Sequence, residues 1–329
     1  MKKLSIPTLI IISLVLLVVL SVTSLFIGVS EVTLSGLLSD EDNQTMIFVV
    51  SRFPRLMAVL TSGIGLSVAG LIMQQLARNK FVSPSTAGTL QSAGLGIVLA
   101  LVFFGSATLI QKMLMGFVFS LIGTFIFVTI LDRIKYKDII LVPLVGIMFA
   151  GVVSSISIFF AYRYDLLQAL ASWLLGDFSG ILRGRYELLY ITVPFVILGY
   201  FYADRFTLAG MGEDFAVSLG LNYKQVVNIG LVIVALITAA VVVTAGSIPF
   251  LGLIVPNIVS ITIGDNVRRT LPITALLGAN VVLACDIVSR IVIRPYEIPI
   301  GLTIGVIGSV VFLTMLFRSQ RHGSGYAVG

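Results

Sequence analysis

The sequence predicts an all-α polytopic membrane protein of about ten transmembrane helices, and three observations carry that prediction. Of its 329 residues, 58% are hydrophobic and only 11% are charged, where a soluble domain carries about 25% charged residues. The apolar residues gather into runs close to the ~20 that a helix needs to cross the hydrocarbon core. The charges fall almost entirely in the short loops between those runs. Length alone would allow two soluble domains, but lipid takes the place of most polar surface here. A single membrane domain over residues 1–329 is therefore expected.

Taken in order, the spans fall near 6–28, 53–76, 85–107, 113–131, 139–161, 186–203, 226–246, 249–264, 271–289 and 299–317. The first follows Lys2 and Lys3 as a signal peptide would. Its apolar core exceeds the ~7–15 residues of a signal segment and no A-x-A site follows, so it reads as an uncleaved span. The eighth holds Pro249, Gly252 and Pro256 in a short run. It reads as a broken helix, tolerated at membrane depth only where protein or a cavity satisfies the freed backbone groups. Two loops are longer. One covers about 29–52 with Asp40, Glu41 and Asp42, and the other covers 162–185, where LLQALASWLLGDF reads as an interfacial helix with Trp173 at headgroup level. Gly301 and Gly305 form a G-x-x-x-G spacing that lets helices approach closely.

Ten spans put both termini on one side. Thirteen of the 21 Lys and Arg residues then share that side and eight lie opposite, which predicts cytoplasmic termini. The eight are Arg52, Arg55, Lys112, Arg163, Arg183, Arg185, Arg290 and Arg294, enough for some of them to have a purpose there. The net charge of +6 is scattered through loops, which argues against a nucleic-acid surface. The one cysteine, Cys285, sits in an apolar run and reads as packing. The one histidine, His322, lies in the polar tail.

Enzymes and ion-coupled carriers keep ionisable groups inside their spans, where such groups are expensive. Here the deepest charge is Asp286, near the end of its span. A proton-coupled secondary carrier and a membrane-embedded enzyme are both disfavoured. The chain has no H-E-x-x-H, no G-x-S-x-G, no aspartate-rich metal motif and no G-x-x-x-x-G-K-[ST] phosphate loop. It reads as neither an enzyme nor the holder of a metal or cofactor. If a nucleotide drives transport, the ATPase is another chain.

One stretch breaks the apolar pattern: AGMGEDFAVSLGLNY, residues 209–223. Glu213 and Asp214 suit the first turn of a short helix, at the positive end of its dipole, and Gly220 suits the position just past its end. Phe215 and Leu219, four apart, share a face, which would anchor the helix. Asn222 with Gln225 resembles a capping box for the next span. Such a helix could dock into a groove on a soluble partner, or it could be a solvated connection. The residues alone leave both open.

Longer motifs carry a resemblance. VSRFPRLMAVLTSGIGLSVAGLIMQQLARNKFVSPSTAG, SWLLGDF, GMGEDFAVSLG, AGSIPFLGLIVPNIVSITIGDNVRRTLPITALLGANVVLACDIVSR and YEIPIGLTIGVIG occur in order over about residues 50–318. This series resembles the iron-siderophore and cobalamin ABC importer permeases. The resemblance implies a type II importer permease fold of ten helices in the cell membrane. It implies pairing with a second permease subunit, two ATPase subunits that hold ATP and Mg, and an extracytoplasmic siderophore-binding protein. It makes Gly212, Glu213, Asp214, Phe215, Ala216, Leu219 and Gly220 the ATPase-coupling residues, and Arg52, Arg55 and Arg290 the arginines displayed outward to acids of the binding protein. Arg294 has no counterpart in the pattern. A chelate carried whole needs no ligands along its path, which agrees with the absence of any His, Cys or carboxylate cluster in the spans.

The sequence departs from the family pattern at three places. Lys80 stands where R-N-P-L-A has proline, Asn257 where V-P-H-I has histidine, and Ser260 where a basic residue is usual. The last two resemble the branch that handles catecholate, petrobactin or anguibactin-type ferric siderophores rather than cobalamin or haem.

Overall fold

The computed structural model describes residues 5–28, 42–134 and 141–323, and all regular structure among them is helical. Lys2, Lys3, Asp40, Glu41, Lys135 and Lys137 lie outside the described residues, as do the side chains of Asp42, Arg318, Arg321 and His322.

Helix α1 (Ile6–Phe26) opens on Ser5, whose hydroxyl accepts the Thr8 N–H. Helix α2 (Asp42–Ile47) passes through a π turn, Phe48–Arg52, into α3 (Phe53–Ala77). Helix α4 (Thr89–Phe104) and α5 (Leu109–Arg133) follow, the latter opened by a complete capping box of Thr108 and Gln111. Next come α6 (Leu141–Arg163) and the short α7 (Leu167–Leu174), where the interfacial helix was expected. A 3₁₀ turn, Tyr186–Ile191, leads into α8 (Thr192–Phe201), and α9 (Ala203–Gly210) follows it. The remainder is α10 (Glu213–Ser218), α11 (Tyr223–Ala245), α12 (Leu251–Ile263), α13 (Val267–Ile291) and α14 (Ile300–Gly323).

Each of the ten expected spans has a helix. Six runs are long and apolar enough to cross a bilayer: α1, α2–α3, α5, α6, α11 and α13. A seventh is the Tyr186–Phe201 segment, from which α9 departs at 63°. Three shorter apolar helices, α4, α12 and Ile300–Met315 of α14, complete the set. The sixth span, expected near 186–203, thus ends at this bend, and α9 lies beyond it.

Burial sorts the helices. In their most apolar windows α3 is 83% buried and α11 72%, whereas α1 is 6% buried. The core is therefore α3 wrapped by α11 and α13, and α1 is a lipid-facing strut. It is held to α13 by Leu17 and Leu20 and by the Asn280 amide, which donates to the Ser13 carbonyl at 3.0 Å.

Helix α12 has 13 residues, or about 20 Å, against the ~30 Å hydrocarbon core. The preceding stretch from Gly246 to Phe250 enters the protein without helical structure, and Phe250 turns it with a left-handed φ of 62°. Its backbone is covered: Gly252 lies directly on Gly70 of α3, with no room for a Cβ between them. This is the broken helix expected of the eighth span, buried in protein as membrane depth requires. A second close crossing joins α3 to α13 at Gly63, where a Cβ would stand 2.7 Å from the Gly278 carbonyl oxygen. The expected Gly301–Gly305 pair behaves differently. Gly301 packs tightly on the backbone of Gly176 and Ser247, a loop contact, and Gly305 is not tightly packed.

The end of α1 meets the end of α13, and the start of α13 meets α9. Helices α1 and α13 therefore run in the same direction, and α14 begins beside Gly176, where the Gly301 N–H donates to its carbonyl at 2.9 Å. The start of α1 and the end of α14 lie at the end of the bundle that carries α10. The opposite end carries the arginines.

Candidate functional site: an arginine end and a helix α10 end

At the arginine end, Asp286 is the hub and is fully buried. Its Oδ1 accepts Arg55 Nε at 3.2 Å and Nη2 at 2.9 Å, and its Oδ2 accepts Arg290 Nη2. Arg55 Nη1 also reaches Glu297 Oε2 at 2.7 Å. The guanidiniums then cap α1. Arg290 Nη1 donates to the carbonyls of Ser24 and Ile27, each at 3.0 Å, and its Nη2 donates to Ser24 Oγ at 2.6 Å. Arg52 Nη1 donates to the Ile27 carbonyl, and Arg294 Nη2 to that of Gly28 at 3.2 Å. The last carbonyls of a helix lack intrahelical partners, and the negative end of its dipole favours cations. Arg290 of α13, Arg294 of the turn that follows it and Arg52 of the π turn before α3 supply both needs at once.

The structure therefore brings Arg52, Arg55 and Arg290 together but does not display them. Arg290 is 4% and Arg52 8% exposed, so in this structure both side chains turn into the network. Asp286 was legible as the deepest charge, and its i,i+4 spacing to Arg290 is a readable signal. Glu297 and the capping of α1 were missed, because Arg55 and Glu297 lie 242 residues apart and Ser24 and Arg290 266 apart, and spacing along the chain does not bring even Arg52 and Ile27, 25 apart, together. Beside this network, Lys112 sits over the Trp173 ring, 4.9 Å from its centroid, a cation–π contact. The two residues line a cavity of about 680 Å³ between α7 and the end of α11.

At the other end, α10 is a single capped turn and a half. Gly212 precedes it at φ 116°, ψ 158°, a conformation essentially reserved for glycine. Glu213 and Asp214 occupy the first turn. The helix closes in a Schellman motif: the Gly220 N–H donates to the Val217 carbonyl at 2.9 Å, and the Leu221 N–H to that of Ala216 at 3.0 Å. Gly220 takes the left-handed φ of 80° that the motif needs. Asn222 then caps α11, its Oδ1 accepting the Gln225 N–H at 3.1 Å.

The anchoring face is the reverse of the one expected. Phe215 and Leu219 are 44% and 58% exposed, as are Met211 and Val217 in similar degree, whereas Ala216 is fully buried. Ala216 and Leu221 hold the segment down, Leu221 packing on the core cluster that includes Leu76 and Phe206. Four large apolar side chains within nine residues face outward. Beside them lies a cavity of about 420 Å³ walled by Gln75, Arg78, Lys80, Met211 and Asp265. Burial pushes the Asp265 carboxyl up, but hydrogen bonds from Ser260 and Lys80 and the Lys80 charge outweigh it and hold the group below its ordinary value. Among the described residues no three His, Cys, Asp or Glu side chains gather as a metal site.

Comparison with known proteins bears on both ends. The FecCD transport family matches residues 13–318. The petrobactin import system permease protein YclN of Bacillus subtilis is 56% identical over 308 residues, covering 94% of this chain and 98% of that protein. The ferric-anguibactin transport system permease protein FatD of Vibrio anguillarum is 39% identical, covering 92% and 96% respectively. A solved structure assigned to the metal-chelate type ABC transporters in an inward-facing conformation superimposes with a TM-score of 0.79 at 25% identity, covering 95% of this chain and 99% of that one. Both ends of the bundle fall inside the matched region, and on that match the chain belongs to the FecCD transport family of membrane permeases.

Proposed function

We propose that this chain is the permease subunit of an ABC importer that moves a ferric siderophore of the petrobactin or anguibactin type into the cell. The observation that carries the reading is the 56% identity to a petrobactin import permease over nearly its whole length. The two ends of the bundle supply the mechanical parts. The apolar surface of α10 is where an ATPase subunit docks, with Gly212, Glu213, Asp214, Phe215, Ala216, Leu219 and Gly220 as the coupling residues. Exposed Phe215 and Leu219 suit a groove on that subunit, and Gly212 and Gly220 set the shape of the turn.

The end carrying α10 is then cytoplasmic, both termini lie there, and the whole chain works as one permease domain in the cell membrane. A second permease subunit completes the pathway. Two ATPase subunits bind ATP and Mg, close on nucleotide, and pull on α10. The permease responds by opening one gate and closing the other, to the extent that nucleotide and substrate favour one state over the other. This chain itself makes and breaks no covalent bond. The arginine end faces the siderophore-binding protein. Arg52, Arg55, Arg290 and Arg294 outnumber Asp286 and Glu297 in the network there, and the excess positive charge attracts acidic residues of that protein and orients it.

The test is uptake of radioactive iron by a strain lacking the gene, complemented with it, and offered a panel of ferric siderophores with cobalamin and haem as controls. Uptake restored for petrobactin-like or anguibactin-like chelates alone is expected. Restoration by cobalamin or haem instead would overturn the substrate reading.

A further inference from the structure

The three residues at which the sequence leaves the family pattern meet at one place. Lys80 Nζ donates to Ser260 Oγ at 2.9 Å and pairs with Asp265 at 2.9 Å to Oδ1 and 3.0 Å to Oδ2. The Ser260 hydroxyl donates to Asp265 Oδ1. Asn257, buried at 4% exposure, donates to the Lys80 carbonyl at 2.7 Å and to that of Leu253 at 2.9 Å. A cation is thus supplied from the segment after α3 at the place where α12 carries serine.

The same group continues toward α10. The turn that holds Asp265 leads into α13, whose Val267 N–H donates to Thr207 Oγ1 at 3.0 Å and whose Arg268 pairs with Asp204 at 2.6 Å. Thr207 and Asp204 belong to α9, which runs through Met211 and Gly212 into α10. These contacts link the far end of α12, through the start of α13, to α9, whose backbone continues into the coupling segment. Helix α12 is the short helix that rests backbone to backbone on α3, so a hold on its end moves it as one piece.

We propose that Lys80, Asn257, Ser260 and Asp265 form a polar clamp through which movement of α10 reaches α12, with Lys80 and Asp265 as positioning residues for transport. The proposal rests on the importer reading above. As the bland alternative, Lys80 and Asp265 are a decorative surface pair, since both side chains are more than half exposed and such pairs contribute little to stability. A transmitting contact differs in its readout: its loss separates ATP hydrolysis from transport.

The experiment compares wild type, Lys80→Asp, Asp265→Lys and the charge-exchanged double variant, each assembled with its ATPase and binding-protein partners in proteoliposomes. Ferric siderophore uptake and ATP hydrolysis are measured in the same vesicles. Each single variant is expected to lower uptake per ATP hydrolysed by about two- to fivefold, the range open to an exposed pair, and the exchange to restore most of it. If a charge reversal prevents assembly, Lys80→Met and Asp265→Asn serve in its place, with the same loss expected. Unchanged ratios in the single variants, or an exchange no better than the worse single, would overturn the clamp. Wild-type vesicles that take up no chelate with ATP would instead refute the importer reading, so the two failures are distinct.

Discussion

The two ends of the bundle use the same kinds of ion pair in opposite settings. At the arginine end Asp286 is fully buried and held by two guanidiniums. At the α10 end the pairs Lys80–Asp265 and Arg268–Asp204 stand more than half exposed. Removing one partner of a buried pair leaves an uncompensated charge and costs about 3–5 kcal/mol, whereas an exposed pair contributes about 0–1 kcal/mol. The first end is built to stay shut around α1. The second can exchange partners cheaply, as a surface must if it is to move with another subunit.

The largest expected effect is at the hub. Asp286→Asn keeps the shape but takes away the only carboxylate that Arg290 pairs with among the described residues and leaves Arg55 with Glu297 alone, so it should destabilise the protein by about 3 kcal/mol. It would be read as a lowered thermal transition in detergent and a smaller amount in the membrane. Unchanged stability would erase the contrast between the ends.

Next comes the exposed face of α10. Phe215→Ser with Leu219→Ser should leave the thermal transition in place, because neither side chain packs inside the chain. It should weaken association with the ATPase by more than about tenfold, since burying each side chain is worth about 1.5 kcal/mol or more. Titration of the purified permease with the ATPase subunit measures this directly. A loss of thermal stability without a loss of association would reverse the account of that face.

The smallest effect is of pH. The folded pKa of Asp265 is depressed by Ser260 and Lys80, against the opposing effect of burial. A depressed carboxylate contributes stability above its unfolded value and loses it only as pH falls through the folded one. Asp265 therefore stays ionised from about pH 8 down to 5, above the ordinary carboxylate range. Uptake per ATP should show no step there that Asp265→Asn removes, and such a step would show that Asp265 titrates where the structure keeps it ionised.

Much of this was legible before any coordinates. Twenty-residue apolar runs, Pro and Gly punctuation and caps gave the helices, including the short α12, and the acids at 213 and 214 with the glycine at 220 gave the boundaries of α10. What was not legible shares one cause, which is that distant partners decide it. Phe215 and Leu219 share a face by spacing, but only packing determines whether that face turns in or out, and buried Ala216 took the inner position. The bend at Tyr202 has no proline or glycine at the break itself, since Pro194 and Gly199 both lie within α8. Arg55 and Asp286 lie 231 residues apart, so the arginines read as outward charge until their acid was seen. The departures at Lys80, Asn257 and Ser260 were visible singly, and their convergence was not.

The central claim is that α10 transmits ATPase movement to the membrane domain, and charge reversal at its exposed first turn tests it most directly. In the assembled transporter, Glu213→Lys with Asp214→Lys should leave the complex intact while abolishing most of the ATPase stimulation produced by the substrate-loaded binding protein. Stimulation and iron uptake equal to wild type would contradict the claim.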